Sequence, residues 1–495
     1  MSYQKQRLKL LTQSVLITLT TLLTLTGCGS SSPEEGVGYF QVYNASSTAP
    51  KISLTVDQLA NADYIKKTHS SVNFTKVSSR FEYTNADYDI ELTWQDDNYD
   101  LNIVYGSQVS LNIDQLKFVV LAGDIKTPDV QLYDIPIRSE AEVTTDVANL
   151  EFNVRVLNVH SESSNLDLYF SKDNESFNEA QLLTQSSYAQ LTDNQKIAQG
   201  SYIFYLTSAG STEVLYNSKE ISFPYSAEYI LAIRQNQGAG NSPFVIDIIT
   251  TSSVTEYADA NSEAAYRIYN GIIEHELLPN YHSLVDLHVD GIDESAEVSS
   301  LAFSHFSDKV QTNFGDYSLT LLASGDNSPI IKNHLMTLSE NSNKTIFFYL
   351  TQDNVDLDGD GDVDEDGDGY VDEIKITINS LVVNNSQSES VYTHQINVVN
   401  LIDSDDFSFA NVYFVRSNEI IDTAEKYLTV PYISPKAITL NNNSYRVYII
   451  ININSSEHII GSEELILNEG SKDQFLMLET DNYSPTGYKM TFTGQ

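Results

Sequence analysis

The chain is short of cysteine, short of cations and short of helical patterning, and each shortage closes off a class of function. One cysteine among 495 residues excludes a disulfide framework and a cysteine-built zinc site. Lys+Arg number 27 against 68 Asp+Glu, a formal charge of −41. So negative a balance excludes roles resting on phosphate neutralisation, and no nucleic-acid partner is expected. It argues equally against adsorption to anionic lipid through a basic patch. The uncharged run Leu10–Leu25 is too short and too rich in Thr to read as a membrane span. No G-x-S-x-G elbow, phosphate loop or dinucleotide fingerprint occurs, no catalytic residue is assigned, and the chain is expected not to be an enzyme. What is plentiful is core material: 41% of residues are hydrophobic, with 31 Tyr and 20 Phe, which argues for a folded protein over a disordered one.

The first residues carry an address. Lys5, Arg7 and Lys9 precede the uncharged run, which ends in Leu25-Thr26-Gly27-Cys28. This quartet resembles the lipobox of bacterial lipoproteins. The resemblance implies cleavage before Cys28 and acylation of that cysteine, palmitate included, with residues 1–27 as signal peptide. An ordinary signal peptide with an incidental cysteine is the alternative. Several acyl chains, at about 0.8 kcal/mol per buried CH₂, would hold the chain on a membrane. Gly29 in place of Asp favours, by the same resemblance, the outer membrane, facing periplasm or cell surface. Residues 28–38, ending in GSSSPEEGVG, read as a flexible tether.

The remainder repeats. A strand-like stretch ending in Asn occurs four times, as FQVYN to Asn44, VRVLN to Asn158, YRIYN to Asn270 and INVVN to Asn400. A Tyr opening a β-rich run follows in each copy, at Tyr88, Tyr202, Tyr317 and Tyr445. Each copy closes with two strand patterns joined by a turn, the third pair being interrupted by residues 356–373. Apolar residues alternate at period two in short runs bounded by Asn, Asp, Gly, Ser and Pro. The best helix-like stretch is Val56–Lys67. The expected fold is therefore all-β: four tandem antiparallel, Ig-like β-sandwich domains, at 39–146, 147–258, 259–390 and 391–495. The recurring Tyr is expected to be a hydroxyl-capped core ring of the tyrosine-corner kind. Tyr43-Asn44-Ala45-Ser46-Ser47-Thr48-Ala49-Pro50 followed by KISLTVD resembles the opening of the bacterial repeat family known as domain of unknown function 4397. That family implies signal-bearing, often lipidated β-sandwiches and offers no catalytic residue.

One segment spells out a site. Residues 356–373, DLDGDGDVDEDGDGYVDE, are two octads of the form D-x-D-G-D-G-x-V followed by Asp-Glu. Carboxylates so dense repel one another, and a hard divalent cation with six to eight oxygen ligands relieves the repulsion. Asp356, Asp358, Asp360, the carbonyl of Asp362 and Asp364 would hold one ion. Asp364, Asp366, Asp368, the carbonyl of Tyr370 and Asp372 would hold a second. The segment resembles EF-hand-like and thrombospondin type-3 calcium loops, and a full EF-hand register also exists on Asp362, Asp364, Asp366, Gly367 and Glu373. Calcium is the expected cofactor, in a structural role; a solvated acidic loop is the alternative.

His275, Glu276, His282 and His288 do not match H-E-x-x-H, and Pro279 interrupts the helix that motif needs, so surface histidines are expected. Trp94 is expected in the core with Tyr99 on a loop. The reading is a non-enzymatic envelope lipoprotein serving as spacer, adhesin or scaffold, with a protein or glycan partner. Its rivals are a glycan-capture protein with Trp94 and Tyr99 as platform, and a hydrolase hidden in one copy.

Overall fold

A computed structural model describes residues 36–59, 63–137, 150–292, 295–356, 359, 361–365, 367, 371, 373–481 and 483–495, without the side chain of Ser70. It is built from strands. Helical structure among the described residues is limited to the 3₁₀ turns Phe177–Glu179 and Ile421–Thr423. The described residues of Val56–Lys67 are not helical: the alternation of Ile52, Leu54 and Val56 carries strand Ile52–Gln58, and the next strand opens at Lys67.

Eight sheets form four sandwiches along the chain. In each, an opening strand pairs in parallel with the first strand of the closing hairpin. Val37–Asn44 lies beside Gln115–Ala122, and Glu151–Asn158 beside Glu228–Gln235. Ala264–Gly271 lies beside Asn343–Asn354, and Thr393–Asn400 beside Gln474–Thr480. Every other pairing between named strands is antiparallel, including all four closing hairpins. The second sheet of each sandwich is built around the Tyr-marked strand, in which alternate residues face the core. Tyr88, Ile90 and Leu92 are buried in the first copy, and Tyr445, Val447, Ile449 and Ile451 in the fourth.

The Asn and Tyr markers fasten each module in the same way. Each Asn is fully buried. Its carboxamide oxygen accepts the backbone N–H two residues on, at Ser46, His160, Ile272 and Ile402 (2.9–3.2 Å). Its Nδ2 donates to the carbonyls of Val72, Ser163, Leu301 and Val430. Its own carbonyl accepts from Thr75, Ala189, Ser304 and Ile433, each a non-glycine residue held at positive φ. The hydroxyls of Tyr88, Tyr202 and Tyr317 donate to the carbonyl four residues upstream, at 2.8, 2.7 and 2.5 Å, and that of Tyr445 stands 3.0 Å from the corresponding Asn441 carbonyl, the expected tyrosine corner.

The opening and closing strands break the alternation and are buried on both faces, as in Gln115–Ala122 and Ala264–Gly271. Their second face meets a neighbouring module. Tyr43, Leu116, Phe118 and Val120 of the first pack against Leu157, Ile230 and Ile249 of the second. Tyr269 and Phe347 of the third pack against Val399, Phe475 and Met477 of the fourth. At about 1.5–3 kcal/mol for each fully buried large apolar side chain, these faces hold the modules as two pairs.

Polar contacts join the pairs. Between the fourth and first modules, Tyr445 Oη donates to Asp97 Oδ2 (2.5 Å) and Arg416 Nη1 to the Asp97 carbonyl (2.6 Å). Between the second and third, Asn341 Nδ2 donates to Asn236 Oδ1 (2.9 Å), while Asn341 Oδ1 accepts from Gly240 N (2.8 Å). A β-carbon on Gly238 would collide with Asn341, and one on Gly240 with Ser262, so the close approach suits glycine at both. The segment leading into the fourth module docks on the Ala45–Pro50 loop of the first, Glu389 N donating to Ser47 O and Val391 N to Thr48 O. The repeats thus close on one another.

Candidate functional site

The acidic loop lies where its flanking strand patterns place it, between Asn343–Asn354 and Ile374–Asn384, which pair from Asn354↔Ile374 onward. Val355 N donates to Glu373 O, and Glu373 N to Val363 O, which draws the loop's ends together. Within it, carboxylates curl the backbone. Asp356 accepts from Gly359 N (2.5 Å) and Gly361 N (2.9 Å), Asp362 Oδ1 from Asp364 N, and Asp364 Oδ1 from Gly367 N. Gly359, Gly361 and Gly367 all stand at positive φ, a conformation glycine takes without steric cost. Asp358, Asp360, Asp366, Asp368, Tyr370, Asp372 and Cys28, the residue expected to be lipidated, lie outside the described residues. Among the described residues no three His, Cys, Asp or Glu side chains converge as a metal site, and no helix is long and apolar enough to cross a membrane.

The hairpin's base touches the fourth module. Tyr432 Oη donates to the Leu350 carbonyl (3.2 Å), and the rings of Tyr349 and Tyr432 meet edge to face with centroids 6.3 Å apart. Asp403, beside Gln352 and Asp353, has its carboxyl pushed upward by burial.

Other candidate residues resolve into structural roles. Trp94 is half-buried and stacked on Tyr392 at 4.8 Å and 10°, while Tyr99 donates to Glu425 (2.9 Å). Both serve the seam between the first and fourth modules, so Trp94 is neither a core ring nor an open sugar platform. Of the histidines, His275 is half-buried and contacts Gln352, and His282 is exposed. His288 departs from the expected surface position: it lies in strand Leu284–Val289 opposite Thr320 and is buried. Alternation puts it on the sheet face opposite the core residues Val285 and Leu287, beside Thr320.

Where the pairs meet there is a polar cavity of about 670 Å³. All four modules line it, through Lys51, Asn73 and Lys76, through Glu256, through Asn341 and Lys344, and through Gln395 and Asp473. No local motif could have announced it, since its walls come from segments hundreds of residues apart. The faces that bring the walls together did leave a signal, in the unbroken apolar runs FVVLA, YILAI, IFFYL and FLML.

No protein-family model matches the chain, and no curated protein does. Among solved structures it is similar to the Bacillus anthracis TIE protein, at 9% identity over 92% of this chain and 76% of that one, TM-score 0.15. It is similar also to BcpA, the major pilin subunit of Bacillus cereus, at 9% identity over 66% of this chain and 98% of that one, TM-score 0.14. The fold therefore rests on the strand pairing itself.

Proposed function

We propose that the chain is a non-enzymatic, calcium-steadied scaffold of the bacterial outer membrane, anchored through an acylated Cys28. The observation that carries this reading is the use made of the recurring residues. The four buried Asn and four Tyr hydroxyls are spent on holding modules together, and the apolar sheet faces on joining them. The acidic octads support calcium as the steadying ion, because their backbone is already turned by Asp356, Asp362 and Asp364 around glycines. Four modules closed on one another suit a rigid scaffold better than a flexible string of adhesive beads. Expression of the whole gene with a clickable palmitate analogue tests the anchor. Label and membrane association should both disappear in Cys28→Ala; label that persists in the variant would contradict it.

A further inference from the structure

Going beyond the scaffold reading, we propose that the cavity at the meeting of the four modules binds a short acidic oligosaccharide, a sugar chain bearing carboxylate or sulfate groups. The charge is the first ground. Lys51, Lys76 and Lys344 line the cavity. An adjoining space of about 350 Å³, sharing Asn343 and Ser386–Ser388, adds Lys309 and Lys472. None of the five forms an ion pair among the described residues, in a chain with 68 carboxylates to 27 cations. Lys344 donates only to the Thr337 carbonyl (2.9 Å).

The carboxylates of the same walls are largely occupied. Glu256 is paired with Arg234 and Glu340 with Lys219. Asp473 accepts from Gln395 N (2.7 Å) and is held toward its neutral form by burial. Only Glu389 is exposed. Burial, then Arg267 and Lys472, lower the pKa of Lys309, as expected where positive charges gather.

The rest of the lining chooses the class of anion. It is amide and hydroxyl, with Asn73, Asn384, Ser386, Gln387 and Ser388, groups that both donate and accept and so match sugar hydroxyls. Phe74 is the one aromatic ring in the larger space, which gives no stack for bases. Helix N-termini of the kind that cradle phosphates do not occur among the described residues. The volume falls within the range of ligand sites, and salt screens the chain's overall repulsion to about 8 Å.

The test is calorimetry on the full chain in detergent with calcium present. The probes are tetragalacturonate, a sulfated galactan tetrasaccharide, neutral maltotetraose and sodium sulfate. One or both acidic tetrasaccharides should bind, more weakly as salt rises, with maltotetraose silent. Lys51→Gln/Lys76→Gln, two exposed side chains without partners, should weaken binding at least tenfold with melting unchanged. Lys309→Gln/Lys472→Gln serves as a second variant should the first melt early. No acidic binding, equal binding of maltotetraose, sulfate binding as tightly as the sugars, or indifference to the lysines would each overturn the proposal. None of these results bears on calcium or on the anchor.

Discussion

Asn158 shows what one side chain does four times over in this chain. Fully buried, it accepts from His160 N (2.9 Å) and donates to Ser163 O (2.7 Å), joining the end of the opening strand to the loop that leaves it. Asn158→Ala leaves the buried His160 N–H without its acceptor and the Ser163 carbonyl without its donor and should cost about 1–3 kcal/mol in urea unfolding, whereas Tyr202→Phe, which frees only the Ala198 carbonyl, should cost about 1 kcal/mol. Glu419 gives a pH signature at the same scale. Its bond to Arg416 (2.7 Å) holds the carboxyl below the usual Glu value. A lowered folded-state pKa means stability that is present above the unfolded value and lost as pH falls through the folded one. Melting of wild type and Glu419→Gln should therefore differ at pH 6 and converge as pH approaches 3. The Asn and Tyr markers were legible in the sequence because, apart from the reach of Tyr445 to Asp97, they bond within their own copy, on partners at most a few tens of residues away.

At the scale of elements, the hairpin Asn343–Asn354 with Ile374–Asn384 carries the acidic loop. Extracellular calcium modules bind at about 10⁻⁴–10⁻³ M. Calcium at roughly ten to a hundred times its dissociation constant would raise the stability of the folded state by about 1.4–2.7 kcal/mol. Thermal melts should fall on adding chelator and recover with calcium, and Asp356→Asn/Asp364→Asn should abolish the difference. Equal melts with and without chelator would remove calcium from the account. Strand elements were readable wherever one face is solvated, as in Ala86–Gln95. Two stretches misled for physical reasons. Val56–Lys67 begins in the end of one strand and reaches the start of the next, mimicking helical spacing by accident, and His288 is covered on the sheet face opposite Val285 and Leu287.

At the scale of the molecule, the polar contacts that matter join distant parts of the chain, and no local motif announces them. Asp97 meets Tyr445 and Arg416 more than 300 residues away. Tyr43 donates to Asp247 (2.6 Å), which also accepts from Arg234 Nε (2.8 Å), a buried cluster joining the first module to the second. In the third, Tyr269 occupies the corresponding place before its Asn. There Ser304, within hydrogen-bond reach of the Tyr269 hydroxyl, donates to Glu479 of the fourth module. The two pairs are thus built alike. The cavity exists only because they close on each other, through Asp97 on one side and Asn341 on the other.

Small-angle X-ray scattering of the full chain in solution tests that closure most directly. Four modules packed as two joined pairs should give a radius of gyration near the compact scaling for this length, about 23 Å, rising in Asp97→Ala/Trp94→Ala as the first and fourth modules part. A wild-type value of about twice that, unchanged in the variant, would describe four beads on a string and contradict the closed body.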